Sequence, residues 1–129
     1  MLSLPATCQV WLCSAPCDMR KGFDGLFAAV RQQLAADPVS GHLFVFVGRG
    51  KKRVKVLWWS AGGLSLYCKR LESGCFRVPT AVAGQPSVQM SAADLAMLLD
   101  GIDWTRARRQ TLYEPPRSLA SGGSTSDRA

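Results

Sequence analysis

The sequence predicts an α+β domain, with an antiparallel sheet of about five or six strands and two helices packed on one face of it. Three observations predict this class. The middle of the chain alternates short apolar runs with glycine-rich turns, a pattern typical of β-hairpins. The segments on either side place apolar residues at helical spacing. The chain has 129 residues, 47% of them hydrophobic, which is enough for one buried core.

The N-terminal part is predicted to contain one strand and one helix. The strand covers residues 8–12 and ends before Pro16. Asp18 offers an N-cap for the helix, and Asp37 ends it, because a residue that precedes proline is disfavoured in the α region. Among the apolar residues of this helix, we expect Phe23 and Leu26 to lie in the core. The apolar face consists of Phe23, Leu26, Phe27, Val30 and Leu34.

The rest of the domain is predicted to be β-rich and to end in a second helix. Ser91 and Asp94 have the spacing of a capping box, and Gly101 lies where a C-terminal cap would follow. Residues 1–104 are therefore predicted to form one domain, and residues 105–129, a basic and then Pro/Ser/Gly-rich tail, are expected to be disordered. The predicted strands are residues 42–47, 53–59, 64–71, 75–78 and 87–90. The apolar face of the second helix consists of Leu95, Leu98, Leu99 and Ile102.

The composition argues against secretion and a membrane span. No apolar run approaches the roughly 18 residues that a span needs, and the N-terminus lacks a secretory layout, so we expect a cytoplasmic protein. The five cysteines form no CxxC pair, and the chain has one histidine, His42. Reduced, buried or half-buried thiols are the preferred interpretation, with a metal site as the alternative. No cofactor is predicted.

The formal charge of +7 is concentrated in the middle of the chain. Basic and acidic residues cancel within residues 1–37 and again within residues 94–129. Residues 38–93 hold eight basic residues against Glu72 alone. Five of the basic residues fall between residues 49 and 55, in and after a predicted hairpin turn. The excess charge therefore belongs to the predicted sheet.

Alternation along the strands predicts a cationic face that also carries aromatic residues. It places Arg53, Lys55 and Trp59 on one side of their strand, and Tyr67 and Lys69 on one side of the next. If these sides share a face, that face suits phosphate contact and stacking on a base or sugar. The predicted nucleic-acid-binding residues are Arg49, Lys51, Lys52, Arg53, Lys55, Trp59, Tyr67, Lys69 and Arg77.

Two other interpretations of the basic hairpin remain open. Lysines and arginines on an edge hairpin also keep a sheet soluble, since charged edges block aggregation. An acidic membrane surface would attract the same patch, although no amphipathic helix carries basic residues beside large exposed apolar ones. The local and uncompensated surplus favours nucleic acid.

No catalytic site is predicted. A two-metal nuclease or transposase core needs about three converging carboxylates, and apart from Glu72 the acids lie in or beside the helices and the tail. His42 has no evident nucleophile or acid partner. The segment from Gly48 to Lys51 lacks the spacing of a phosphate-binding loop and the helix that should follow one. A binding module is therefore expected, not an enzyme.

Three blocks of sequence resemble a known family. They are Asp18-Met19-Arg20-Lys21-Gly22-Phe23-Asp24-Gly25-Leu26; Gly41-His42-Leu43-Phe44-Val45-Phe46 with Lys69-Arg70-Leu71-Glu72; and Leu98-Leu99-Asp100-Gly101-Ile102-Asp103-Trp104. Together they resemble the TnpB accessory proteins, products of the second open reading frame in bacterial transposable elements of the insertion-sequence 66 family. The resemblance covers roughly residues 5–104. The chain departs from the family pattern at residues 50–52 and 60–62 and at Cys75.

The resemblance implies a role beside a separate, larger protein that carries the DDE transposase chemistry. We expect a non-catalytic accessory factor for DNA transposition, with DNA and the transposase of the same element as partners. The alternative is a protein-interaction adaptor that binds the transposase without touching DNA, and a cryptic metal-dependent nuclease is a third hypothesis. Arg20 and Lys21 either form ion pairs with Asp18 or Asp24, or contact a phosphate or partner.

Overall fold

The computed structural model describes residues 8–79 and 84–105, and these form a five-stranded sheet with two helices. The predicted tail lies outside the described residues, apart from Thr105. No helix in the described ranges is long and apolar enough to cross a membrane. The elements are β1 (Val10–Cys13), α1 (Phe23–Gln32), β2 (Leu43–Val47), β3 (Arg53–Ser60), β4 (Gly63–Arg70), β5 (Ser87–Met90) and α2 (Ala92–Leu99).

The sheet is mixed, with the strand order β4-β3-β2-β1-β5. The pairings β4–β3, β3–β2 and β1–β5 are antiparallel, whereas β1 and β2 are parallel. The α+β class and a mostly antiparallel sheet are therefore confirmed, but a fully antiparallel sheet is wrong. The physical reason is the connection: α1 lies between β1 and β2 in the chain, and a helical crossover returns the chain to run parallel to the first strand.

Strand β2 is buried on both faces, and this explains where the helices lie. Its alternate residues enter two separate core clusters, with Val45 in one and Phe46 in the other. Leu98 of α2 belongs to the cluster of Val45, and Leu26 of α1 belongs to the cluster of Phe46. The prediction that both helices pack on one face is thus wrong. A strand that is apolar throughout needs cover on both sides, which one helix on each face provides.

Helix α1 begins without the predicted cap. Its N-cap is Gly22, and no side chain accepts a hydrogen bond there. Asp18 instead accepts hydrogen bonds from Arg20, so its assignment as the helix cap is wrong. Phe23, predicted to lie in the core, is 48% exposed, because the buried side of the helix begins at Leu26.

Helix α2 begins as predicted. The amide of Asp94 donates to Ser91 Oγ over 3.0 Å, and the amide of Ser91 donates to Asp94 Oδ2 over 3.1 Å. Gly101 has a φ of +76°, the left-handed conformation that favours glycine after a helix. The capping box and the glycine after the helix are confirmed. Ile102 lies beyond the helix and is 50% exposed, so it is not part of its buried face.

Residues 75–78 do not form the predicted strand. Phe76 is buried in the cluster on the α2 face, and its amide donates to the Lys51 carbonyl over 2.6 Å. Trp104, in the same cluster, donates from Nε1 to the Arg77 carbonyl over 2.7 Å. Phe76 thus occupies a core position, as an inward-facing residue of a strand would. The segment is held by the two hydrogen bonds described above and not by the repeated backbone hydrogen bonds of a strand.

Candidate nucleic-acid interface

The turn between β2 and β3 is fixed by backbone hydrogen bonds. The Gly48 amide donates to the Arg53 carbonyl, and the Lys51 amide donates to the Gly48 carbonyl, each over 3.0 Å. The bond from Phe76 to Lys51 ties the turn to the segment after β4. Lys51 has a φ of +59°, which is uncommon for a residue other than glycine. The basic side chains of the turn therefore project from a defined backbone.

The loop of residues 16–22 docks against this turn. The Cys17 amide donates to the Val47 carbonyl over 3.0 Å, and Cys17 forms an isolated parallel bridge with Gly48. Met19 covers Gly48 so closely that a Cβ built on the glycine would lie 2.7 Å from Met19 Cγ. Gly48 is therefore needed for this close approach, and the loop and the turn form one structural unit.

An open groove of about 540 Å³ lies where the 16–22 loop meets the turn. Lys55 of β3 helps to place the loop, because its Nζ donates to the Lys21 carbonyl over 2.8 Å. Lys21 from the loop and Arg49 from the turn both line the groove. The structure thus brings together two predicted regions that are far apart in the sequence. The lining residues are Pro16, Cys17, Asp18, Met19, Lys21, Gln33 and Arg49.

Arg20 forms a two-pronged ion pair with Asp18. Its Nη2 donates to Oδ2 over 2.8 Å and its Nε donates to Oδ1 over 3.0 Å. These hydrogen bonds lower the pKa of the Asp18 carboxyl well below its ordinary value. The ion-pair alternative is confirmed for Arg20, whose side chain is nevertheless 91% exposed. Within residues 8–79 and 84–105, no hydrogen bond or ion pair engages the side chain of Lys21.

Three cations in the turn and at the start of β3 have no side-chain partner among the described residues. Arg49, Lys51 and Arg53 are exposed, and their side chains make no hydrogen bond or ion pair with any described residue. Lys52 differs, because its Nζ donates to the Gly74 carbonyl over 3.1 Å. Within the hairpin, the cations without a described partner are therefore Arg49 and Lys51 in the turn and Arg53, the first residue of β3.

Two of the lysines predicted to bind DNA make hydrogen bonds within the protein. Lys55 holds the loop carbonyl described above, and Lys69 donates from Nζ to the Leu99 carbonyl over 2.6 Å. Leu99 ends α2, whose last turn has no basic residue of its own. Lys69 therefore supplies the positive charge that a helix C-terminus favours. Both lysines are partly buried in these contacts.

The register of β3 and β4 separates residues that were predicted to share a face. Paired residues of neighbouring strands point to the same side, and Lys55 pairs with Cys68 while Val54 pairs with Lys69. Lys69 and Tyr67 therefore lie on the α2 face of the sheet, whereas Lys55 lies on the other face. The grouping of these residues around one patch is wrong. The turn between β3 and β4 has two residues, because Ser60 pairs with Gly63. Odd-numbered residues of β3 therefore pair with even-numbered residues of β4, and odd-numbered residues of the two strands lie on opposite faces.

The remaining predicted residues lie away from the groove. Trp59 shares a face with Arg53 but lies at the other end of β3 and is half-buried. Tyr67 is 38% exposed on the α2 face. Arg77 is exposed in the segment after β4, and its carbonyl holds Trp104. The assignment of Trp59, Tyr67 and Arg77 to DNA binding stays a prediction, and the predicted shared cationic face no longer supports it.

The described residues contain no cluster of three His, Cys, Asp or Glu side chains that could hold a metal ion. All five cysteines are free thiols. Burial raises the pKa of the thiols of Cys13 and Cys17, which opposes formation of the thiolate that binds metals. Cys68 and Cys75 are exposed, which corrects the expectation that all the thiols are at least half-buried.

Sequence reasoning missed Met19 and Gln33, which line the groove. No local pattern marks them, because the groove exists only after the loop, the turn and the end of α1 come together. Gly48 carries the one usable signal: a glycine directly after a fully apolar strand is typical of a close approach by another segment.

Comparisons with known proteins agree with the resemblance. The family model described as IS66 Orf2 like protein matches residues 8–109. Uncharacterized protein y4jC of Sinorhizobium fredii (strain NBRC 101917 / NGR234) is 35% identical over 109 residues, 84% of this chain and 92% of the relative. Uncharacterized protein y4hO of the same strain is 40% identical over 104 residues, 81% of this chain and 89% of the relative. No solved structure matches significantly. Since the family model covers most of the chain, the chain belongs to the family of IS66 Orf2-like proteins, and this membership associates it with transposition.

Proposed function

We propose that the protein is a non-catalytic accessory factor for DNA transposition that contacts DNA through the free cations of the β2–β3 turn. The observation that carries this proposal is the set of exposed cations Arg49, Lys51 and Arg53, which have no partner among the described residues and lie in or next to a turn fixed by backbone bonds. Family membership supports the biological setting. Catalysis stays with a separate DDE transposase.

Fixed, unpaired cations suit the DNA backbone for a physical reason. A duplex carries closely spaced phosphates with condensed counterions, and each cation that neutralises a phosphate releases counterions to solution. The gain in binding free energy is largest for cations that do not first have to break an ion pair with a carboxylate of the protein. Among the described residues the two ion pairs involve Arg20 and Arg70, so the turn keeps its charge available.

A salt titration of DNA binding tests the proposal. The full chain is titrated into a fluorescein-labelled duplex from about 50 to 200 mM salt, followed by fluorescence anisotropy. The combined variant Arg49→Glu, Lys51→Glu, Arg53→Glu should reduce the slope of log affinity against log salt by about 2 to 3. Its affinity at the lowest salt should fall about 100-fold. Lys52 and Lys55 are left unchanged, because both make structural contacts.

Arg31→Glu provides the control for net charge. Arg31 is exposed in the last turn of α1, outside the hairpin, and it carries the same charge as Arg53. The single variant Arg53→Glu should weaken binding several-fold more than Arg31→Glu. An unchanged affinity in the combined variant, with an unchanged circular dichroism spectrum, would show that the turn does not contact DNA.

The alternative is an adaptor that docks an acidic surface of the transposase without touching DNA. The exposure of Phe23, two residues after Lys21, favours it, because an exposed aromatic side chain beside cations is typical of protein-binding hot spots. Co-purification with the transposase after nuclease treatment, lost in Phe23→Ala, would support the adaptor if the protein alone binds no DNA. Binding of the protein alone to DNA supports the first proposal.

A further inference from the structure

The groove between the 16–22 loop and the turn has a charge that no described residue explains. Lys21 and Arg49 enter it from different segments, and neither side chain makes a hydrogen bond or ion pair in the part of the chain that the structure describes. Its one carboxylate, Asp18, is engaged through both oxygens by Arg20. Two cations thus face a shared space, while the neighbouring acid is already neutralised.

Backbone contacts fix the two segments that carry these cations. The Lys21 carbonyl is bound by Lys55, and the backbone that leads to Arg49 is bridged to Cys17 through Gly48. Bringing two like charges to one groove costs free energy unless an anion occupies the space between them. An arrangement that is fixed by other bonds therefore favours a bound anion.

We infer that the groove binds one phosphate of the DNA backbone, held between Lys21 and Arg49. The inference rests on the proposed DNA contact and identifies a second point of it, beyond the free tip of the turn. The groove is half-open, so a phosphodiester that continues in both directions can enter it without threading. Gln33 lies on its rim and adds an amide that can donate to a phosphate oxygen.

Such a site joins two segments that are far apart in the sequence, the 16–22 loop and the turn. A phosphate that bridges Lys21 and Arg49 fixes the protein on the duplex relative to the free cations Lys51 and Arg53. Backbone contacts of this kind set position and orientation without sequence preference. The groove phosphate should therefore be bound equally in element-end and random DNA.

A pair of isosteric variants tests the groove without removing any cation. Gln33→Glu adds a carboxylate at the rim, whereas Gln32→Glu adds the same charge to the neighbouring exposed residue, which does not line the groove. Measured by anisotropy on the labelled duplex at about 50 mM salt, Gln33→Glu should lower the affinity about fivefold relative to Gln32→Glu. In a Lys21→Ala, Arg49→Ala background the difference should shrink, since no bound phosphate remains to be repelled.

The outcomes separate this inference from the proposed function. If wild type binds no DNA, both fail. If the combined turn variant loses binding while Gln33→Glu and Gln32→Glu behave alike, the groove inference is overturned and the turn contact stands. If Gln33→Glu weakens binding equally with and without Lys21 and Arg49, the effect is a general one of charge, and the phosphate site is also overturned.

Discussion

The basic end of the sheet, formed by the β2–β3 turn and the start of β3, and the α2 face of the sheet both carry cationic side chains. These side chains differ in exposure and in whether they have a partner. At the basic end, Arg49, Lys51 and Arg53 are exposed and have no partner among the described residues. On the α2 face, Lys69 is partly buried and bound to the last carbonyl of α2. Sequence charge alone does not distinguish a cation that is available to a ligand from one that completes the fold.

The difference arises from what lies opposite each side chain. Lys69 projects from the same side as Val54 and reaches a helix end whose own last turn lacks a cation. The turn, by contrast, meets the 16–22 loop mainly through backbone bonds and Met19. Its cations are thus left for solvent or a ligand. Which lysines are available to a ligand is therefore decided by the tertiary contacts of each residue.

The largest expected effect concerns Gly48, on which the union of loop and turn depends. Gly48→Ala places a Cβ 2.7 Å from Met19 Cγ, so Met19 must move. We expect the free energy of unfolding to fall by about 1 to 3 kcal/mol, as in other overpacked sites. Chemical denaturation measures this loss, and DNA affinity should fall as well if the groove is a binding site.

Gly50→Ala is the matched control in the same turn. A Cβ on Gly50 meets nothing within 4 Å, so stability should be unchanged or slightly higher. In a Met19→Ala background, Gly48→Ala should cost much less, because the clashing side chain is absent. An equal cost in both backgrounds would mean that Gly48 matters for a reason other than the contact with Met19.

Local signals predicted the parts of the fold that depend on neighbouring residues. The hairpin of β2 and β3, strand β5 and the capping box of α2 each follow from short patterns, and all are present. The parallel pairing of β1 with β2 and the placement of the helices on opposite faces depend on non-local packing. The fully apolar stretch of β2 was the one local hint of cover on both faces.

The candidate site divides in the same way. The charge of the turn was predicted from composition, but the separation of Lys55 from Lys69 follows from the length of the next turn. Counting that two-residue turn would have placed them on opposite faces. The groove was not predictable, because Lys21, Gln33 and Arg49 meet only through the docking of the 16–22 loop.

A smaller and more selective effect is expected from replacing one lysine of each kind by methionine: Lys69, which has a partner, and Lys51, which has none among the described residues. Lys69→Met keeps most of the unbranched side chain but leaves the Leu99 carbonyl without its charged donor. It should reduce the free energy of unfolding by about 1 kcal/mol and leave DNA affinity unchanged. Lys51→Met should do the reverse, with stability within about 0.5 kcal/mol of wild type and weaker binding of DNA.

Paired measurements of both variants decide whether the contrast holds. Denaturation reports the stability of each, and anisotropy at a temperature where both are folded reports the binding. If Lys69→Met weakens DNA binding as much as Lys51→Met does, then the α2 face also contacts DNA. The division into structural and available cations would then be wrong.

The smallest expected effect concerns the ion pair of Arg20 with Asp18. Arg20 is exposed like the cations of the turn, but it has a partner as Lys69 does. Because the pKa of Asp18 is lowered in the folded protein, the ion pair stabilises the fold above the ordinary pKa of 3.8 and loses this effect as pH falls through the lowered value. Asp18→Asn should thus be less stable than wild type near neutral pH, and the gap should narrow as pH falls from 3.8 toward the lowered pKa of Asp18. Urea denaturation of both proteins from about pH 5 to about pH 2 measures the gap. Equal stability of Asp18→Asn and wild type at every pH would contradict a role for the charge and would assign the contribution of Asp18 to its hydrogen bond with the Arg20 amide, which asparagine can also accept.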